Sequence, residues 1–95
     1  VIPFGAVLDG ETVEGFVVRH EGRYFAYRNE CRHLPLSLDG GSGHFLAEDR
    51  RHLLCVHHGA LYRPEDGLCV SGPCVGAKLV ALTVVEDRDR LRVYR

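Results

Sequence analysis

The 95-residue chain contains no methionine and no tryptophan, and it has no long hydrophobic run. No apolar stretch approaches the ~20 residues that a membrane-crossing helix needs, and Val1-Ile2-Pro3-Phe4 has neither the basic opening nor the long apolar core of a signal peptide. The expectation is a soluble, cytoplasmic chain with no membrane partner. The absence of methionine even at the first position leaves room for residues removed ahead of Val1, a targeting segment among them. Charge of one sign is also missing: 12 Lys+Arg against 13 Asp+Glu leave a formal net charge of −1. That balance excludes the basic excess that draws proteins onto polyanions, so no nucleic-acid partner is expected.

What is present describes one small globular domain over residues 1–95, with 45% hydrophobic and 26% charged residues. Domains of this size bury a modest share of their surface and often gain stability from metals or disulfides. Four cysteines and six histidines therefore require an explanation. The cysteines, Cys31, Cys55, Cys69 and Cys74, interleave with histidines in a way that disulfide bridges do not require, which makes metal the sharper reading.

Short segments rich in β-branched and aromatic residues alternate with turn signals. Strands are expected over 15–20, 23–28, 52–55, 60–63, 68–70, 77–85 and 91–94. Glu21-Gly22 reads as a hairpin turn, residues 87–89 as a second, Pro64-Glu65-Asp66-Gly67 as a tight turn and Gly40-Gly41-Ser42-Gly43 as a loop. Leu79, Leu82 and Val85 also fit a helical period, but the β-branched run Thr83-Val84-Val85 favours a strand. The fold expected is all-β, a small antiparallel sandwich or barrel. Tyr24, Phe25 and Tyr27 read as core and cross-strand pairs rather than an electron path.

The chemistry concentrates in Cys31-Arg32-His33 and, 22 residues beyond His33, in Cys55-Val56-His57-His58. A C-x-H pair in one loop can aim both side chains at a common point, and a C-x-x-H pair can do so from a facing loop, which supplies two thiolates and two imidazoles. Such a set suits either a tetrahedral zinc or the Cys₂His₂ partition of a Rieske [2Fe–2S] centre, with Cys31 and Cys55 on one iron and His33 and His58 on the other. His57 competes with His58 at nearly the same spacing. His20, His44 and His52 have no partner at ligand spacing and read as solvated or hydrogen-bonded. Cys69 and Cys74 flank Gly72-Pro73 and admit three roles: buried thiols, a small disulfide, or further metal ligands.

On these residues the chain resembles the Rieske family, specifically its small soluble bacterial ferredoxins. The resemblance extends to Gly59 directly after His58, to Tyr62, to the turn at Gly67, and to Ser71-Gly72-Pro73, which looks like the proline loop over the cluster. Arg32 stands where the family commonly has proline and Pro35 where it has glycine, and the extra length between the motifs coincides with 40–43. Leu36 and Ala60 occupy the regions where respiratory members carry a disulfide.

The resemblance implies a cluster-binding part of about 29–74 formed by two hairpin loops, with Cys31, His33, Cys55 and His58 as ligands of a [2Fe–2S] cofactor. It also implies that the Tyr62 phenol bonds a cluster sulfur. Ala60, in place of a serine, implies a potential near the lower end of the Rieske range, roughly −150 rather than +300 mV. The function implied is one-electron transfer from a reductase to a terminal oxygenase or similar acceptor. No catalytic residue is expected, because the sequence offers no mononuclear iron triad and 95 residues leave no room for the substrate domain of such oxygenases. Two other readings remain open: a small redox subunit of a larger enzyme such as a nitrite reductase, and a zinc-stabilised Cys₂His₂ module.

Overall fold

The computed structural model describes residues 1–32 and 36–95. Its elements are strands β1 (Ile2–Leu8), β2 (Glu11–His20), β3 (Arg23–Arg28), β4 (Leu53–Leu54), β5 (Leu61–Tyr62), β6 (Cys69–Ser71), β7 (Ala81–Asp87) and β8 (Arg90–Tyr94). They form a five-stranded sheet in the order β1-β2-β3-β7-β8 and a three-stranded sheet in the order β4-β5-β6, all pairs antiparallel. The all-β antiparallel expectation is met. Among the described residues no helix is long and apolar enough to cross a membrane.

Turn chemistry sets the larger sheet. Asp9-Gly10 and Glu21-Gly22 both hold left-handed backbone at their two central residues, with φ of 50° and 80° in the first and 52° and 78° in the second. That is the pair of conformations a two-residue hairpin needs to match strand twist. Leu8 therefore pairs with Glu11, and His20 with Arg23.

β1 is a strand that composition conceals, because Pro3 and Gly5 lower its strand propensity. Its place at the sheet edge removes the conflict, since an edge strand can spare a ladder donor. Phe4, Ala6 and Leu8 point inward while their neighbours stay exposed. β7 begins only at Ala81. Residues 77–80, expected as its first half, carry just an isolated bridge from Lys78 to Leu68. No helix forms at Leu79, Leu82 and Val85.

β2 is buried continuously from Gly15 to Val18, because each face of the large sheet meets its own apolar cluster. On one face Val13 and Val17 join Ala26 and Leu82, with Phe4, Leu91 and Val93 packed around them. On the other, Phe16 and Val18 meet Tyr27, Leu38, Phe45, Leu53, Tyr62 and Leu79. Phe16 lies 4.7 Å from Phe45 and 5.9 Å from Tyr27 between ring centroids. Cys31, Cys55, Cys69 and Ala60 belong to this second cluster, so the chemistry-bearing loops are built into the core that joins the two sheets.

Gly67 shows how tight that junction is. Its φ is +72°, and a Cβ there would lie 2.8 Å from the Tyr27 ring and 3.2 Å from Leu79. Tyr27 needs the space because its hydroxyl donates to the Pro64 carbonyl at 2.6 Å, fixing the 64–67 turn against the large sheet. Burial pushes the Tyr27 phenol up to about 12, the nearby carboxylates of Asp66 and Glu65 adding to the effect.

Candidate metal centre

Three loops converge on the cysteines. The first leaves β3 and is pinned at once: Asn29 N–H donates to the Glu14 carbonyl at 2.9 Å, and Cys31 N–H to the Leu36 carbonyl at 2.7 Å. Asn29 also holds the far side of this loop, its Oδ1 accepting from Leu38 N–H at 2.8 Å and its Nδ2 donating to Asp39 Oδ1 at 3.2 Å. Asp39 is only 6% exposed and takes a further bond from Gly43 N–H at 3.1 Å, so the 40–43 segment is anchored to the loop that carries Cys31. Burial alone would raise the Asp39 pKa, but the donors from Asn29, Gly41 and Gly43 outweigh it and hold the carboxyl below its usual range.

The second loop joins β4 to β5. Cys55 N–H donates to the Ala60 carbonyl at 2.9 Å and Gly59 N–H to the Cys55 carbonyl at 2.8 Å, which closes a turn whose left-handed residue is Gly59, φ 70°. The backbone N–H groups of His57 and His58 act on the Cys55 thiol to lower its pKa, against the larger effect of burial. Val56 N–H donates to the Leu38 carbonyl at 2.8 Å and ties this loop to the first. The third loop, after β6, passes so close that a Cβ on Gly72 would sit 2.8 Å from Ala60 Cα.

The outcome is a convergence of ligand atoms. Cys31, Cys55 and His58 offer two sulfurs and an imidazole nitrogen all within 4.8 Å of one another. Both cysteines are buried, and His58 is half-buried with its Nδ1 shielded from solvent. Burial, followed by the neighbouring Cys31 thiol, pushes the Cys55 thiol up. Two such thiols become thiolates most readily when a metal cation takes the place of their protons. The donor set, soft sulfur plus imidazole, is one that suits zinc or an iron–sulfur cluster.

Of the residues singled out in the sequence, Cys31, Cys55 and His58 are thus brought together. His33 lies outside the described residues. His57 is exposed, outside the group, with its ring against Gly40. His20 pairs with Glu65 at 3.2 Å and His52 Nδ1 with Asp49 at 2.6 Å, while His44 is exposed.

Tyr62, fully buried, sets its hydroxyl 3.5 Å from Cys31 Sγ, as the resemblance implied, and accepts from Arg32 N–H at 3.1 Å. Burial, then contact with the Cys74 and Cys31 thiols, pushes the phenol well above its ordinary range, so it stays a neutral donor. The same hydroxyl lies 3.1 Å from Cys74 Sγ, a contact that no spacing rule could have revealed. Cys69 and Cys74 are free thiols with sulfurs 3.3 Å apart. Sequence reasoning also missed the Asn29–Asp39 brace; its one signal was a pair of turn-forming polar residues flanking the Cys31 loop.

The model of the Rieske [2Fe-2S] domain matches residues 4–94 of the chain. No curated protein matches it significantly. Among solved structures, the ferredoxin of carbazole 1,9a-dioxygenase from Nocardioides aromaticivorans IC177 is 27% identical with a TM-score of 0.72, over 98% of this chain and 84% of that one. The terminal oxygenase of carbazole 1,9a-dioxygenase from Novosphingobium sp. KA1 matches at 23% identity and TM-score 0.73, over 97% of this chain and 25% of that one. A chain in the reduced complex between oxygenase and ferredoxin of carbazole 1,9a-dioxygenase matches at 23% and 0.73, over 97% and 24%. The chain therefore spans about a quarter of these last two and most of the ferredoxin.

Proposed function

The chain belongs to the Rieske [2Fe–2S] family, and from that premise we propose that it is a ferredoxin-type carrier of single electrons, taking them from a reductase and passing them to a terminal oxygenase or similar acceptor. The observation that carries this reading is the convergence of Cys31, Cys55 and His58 within 4.8 Å beneath the Tyr62 hydroxyl. The [2Fe–2S] cluster of this family supplies the one-electron site, and the donor set on the page fits it. Residues 1–95 are read as one Rieske domain whose cluster-binding part covers about 29–74, with Cys31, His33, Cys55 and His58 as the ligands. Similarity to a ferredoxin along most of that protein's length supports the carrier role.

Each residue of the set has a task. Cys31 and Cys55 present thiolates from inside the core, where water is excluded. The N–H groups of His57 and His58 neutralise part of the charge on the Cys55 sulfur, and the Tyr62 hydroxyl does the same for Cys31. His58, only half-buried, reaches from the core to the surface and is assigned, with His33, as the exit for the electron. No residue of the chain is assigned a catalytic step. Cys69 and Cys74, present as thiols, fit the reducing cytoplasm, which is the compartment assigned.

Visible and electron paramagnetic resonance spectra of the purified, reduced protein test the assignment. The expected result is a mixed-ligand [2Fe–2S] signal that His58→Ala abolishes and His57→Ala preserves. A colourless protein that holds zinc, or a signal lost on changing His57 instead of His58, overturns it.

A further inference from the structure

The ligand set leaves two cysteines unused. Cys69 and Cys74 stand on the two arms of one tight turn, closed by Gly76 N–H to the Cys69 carbonyl at 3.0 Å, Ala77 N–H to the Cys74 carbonyl at 2.9 Å and Cys69 N–H to the Ala77 carbonyl at 2.8 Å. Their sulfurs, 3.3 Å apart, need to approach by roughly 1.2 Å to reach a disulfide bond length. Cys74 is half-buried and Cys69 buried, so Cys74 is the more accessible residue of the pair. We propose that Cys69 and Cys74 form a second redox centre, a dithiol that small disulfides such as oxidised glutathione convert to a disulfide, and that its state tunes the iron–sulfur centre through Tyr62.

The chemistry balances as thiol–disulfide exchange. The Cys74 thiol gives its proton to solvent and, as thiolate, attacks one sulfur of oxidised glutathione, expelling a glutathione thiolate that takes up a proton. The Cys69 thiol, likewise losing its proton, attacks the mixed disulfide at the Cys74 sulfur and releases the second glutathione. Two protein thiols are oxidised by two electrons, and one glutathione disulfide is reduced to two thiols. Burial, with the adjacent Cys74 thiol, pushes the Cys69 thiol up to about 11, which suits it to resolve the mixed disulfide rather than to start the exchange.

The link to the cluster is a chain of hydrogen bonds. Cys69 S–H donates to the Ser71 carbonyl at 3.3 Å, Cys74 S–H donates to Cys69 Sγ at 3.3 Å, and the Tyr62 hydroxyl lies 3.1 Å from Cys74 Sγ against 3.5 Å from Cys31 Sγ. Arg32 N–H occupies the phenol oxygen, so the one phenol hydrogen is contested between the two sulfurs. A sulfur whose own S–H is donated onward is the better acceptor, because hydrogen bonds in a chain polarise one another. Disulfide formation removes both S–H groups and ends that polarisation. The phenol hydrogen then goes to Cys31, where it stabilises the added electron, and the reduction potential rises. Under thiol-oxidising conditions the carrier would hold its electron more firmly.

The tuning half of this proposal rests on Cys31 being a ligand; the thiol half does not. The holo-protein is treated with oxidised glutathione or with dithiothreitol, its cluster checked by electron paramagnetic resonance, its midpoint measured by voltammetry, and its thiols alkylated after denaturation for peptide mapping. The expected result is a Cys69–Cys74 linked peptide, lighter by two hydrogens than the dithiol, together with an upward shift of the midpoint that dithiothreitol reverses. Cys74→Ala, which removes the competing sulfur, should sit at the raised midpoint under both treatments. Free thiols at 69 and 74 under excess oxidised glutathione, or a link with an unshifted midpoint, overturns the proposal. Both readings come from the unmutated protein. Failure of the ligand assignment would show separately, as a missing [2Fe–2S] signal.

Discussion

Replacing Tyr62 by phenylalanine removes one atom from a fully buried side chain while keeping its volume in the core. What is lost is the hydroxyl that touches Cys31 Sγ at 3.5 Å, Cys74 Sγ at 3.1 Å and Arg32 N–H at 3.1 Å. A hydrogen bond to a charged acceptor contributes about 1.5–3 kcal/mol, and at 3.5 Å to sulfur the low end applies. Only the difference between the two redox states moves the potential, because the bond is present in both and strengthens when the electron arrives. A differential of about 1 kcal/mol corresponds to a fall of roughly 40 mV, since 59 mV is a factor of ten for one electron. The same change leaves Arg32 N–H and the Cys74 thiol without their shared partner, so stability should fall by about 1–3 kcal/mol. Voltammetry on the intact holo-protein, with equilibrium denaturation beside it, reads both. A midpoint unchanged within a few millivolts, with an undisturbed electron paramagnetic resonance signal, would refute the role of the phenol in stabilising the reduced cluster.

Gly72→Ala should destabilise the protein by about 2–4 kcal/mol in denaturant unfolding, because φ is +101° and the new Cβ would lie 2.8 Å from Ala60 Cα, a backbone atom that cannot yield cheaply. Phe45→Ala should cost about 3–5 kcal/mol by the same measurement, since the residue is 1% exposed and its ring packs at a tilt 4.7 Å from that of Phe16. Asp39 has a depressed folded pKa, so its contribution is present above the unfolded carboxylate value near 4 and lost as pH falls through the lower folded one. The melting temperatures of wild type and Asp39→Asn should therefore differ at pH 6 and converge as pH falls through that window. A constant gap would mean that the charge of Asp39 does not hold the loop.

The large sheet was legible where local chemistry decides it. Glu21-Gly22 between two β-branched, aromatic segments led to the 23–28 strand with its observed limits, because a two-residue turn with both residues left-handed leaves one register. β1 was not legible. Its proline and glycine argue against a strand locally, and only its position at the sheet edge, a tertiary fact, makes them acceptable. The overextended 77–85 segment fails for the complementary reason: Leu79 turns into one core cluster and Leu82 into the other, so an even apolar pattern conceals a change of face.

The meeting of Cys31, Cys55 and His58 was legible because a loop of three or four residues is short enough for sequence to fix which side chains can converge. The choice of His58 over His57 came from the resemblance, through the Gly59 that follows it. The turn from Cys55 to Gly59 aims one imidazole inward beside two thiols and leaves its neighbour against Gly40 at the surface. The supports of the site were invisible in the sequence. Asn29 reaches Asp39 across ten residues, Tyr62 reaches Cys31 across thirty-one, and Val56 is tied to Leu38; each bond exists only because the two loops already face each other. Cys31, Cys55, Cys69 and Ala60 lie in the same apolar cluster as Phe16, Phe45 and Leu53, whereas Val13, Val17, Ala26 and Leu82 form a separate one on the opposite face of the sheet. The five-stranded sheet thus has an apolar face that owes nothing to the metal centre, while its other face is completed by the thiols themselves. Bringing these thiols together and closing that second core are one packing event, and this accounts for a loop as heavily braced as the one around Cys31.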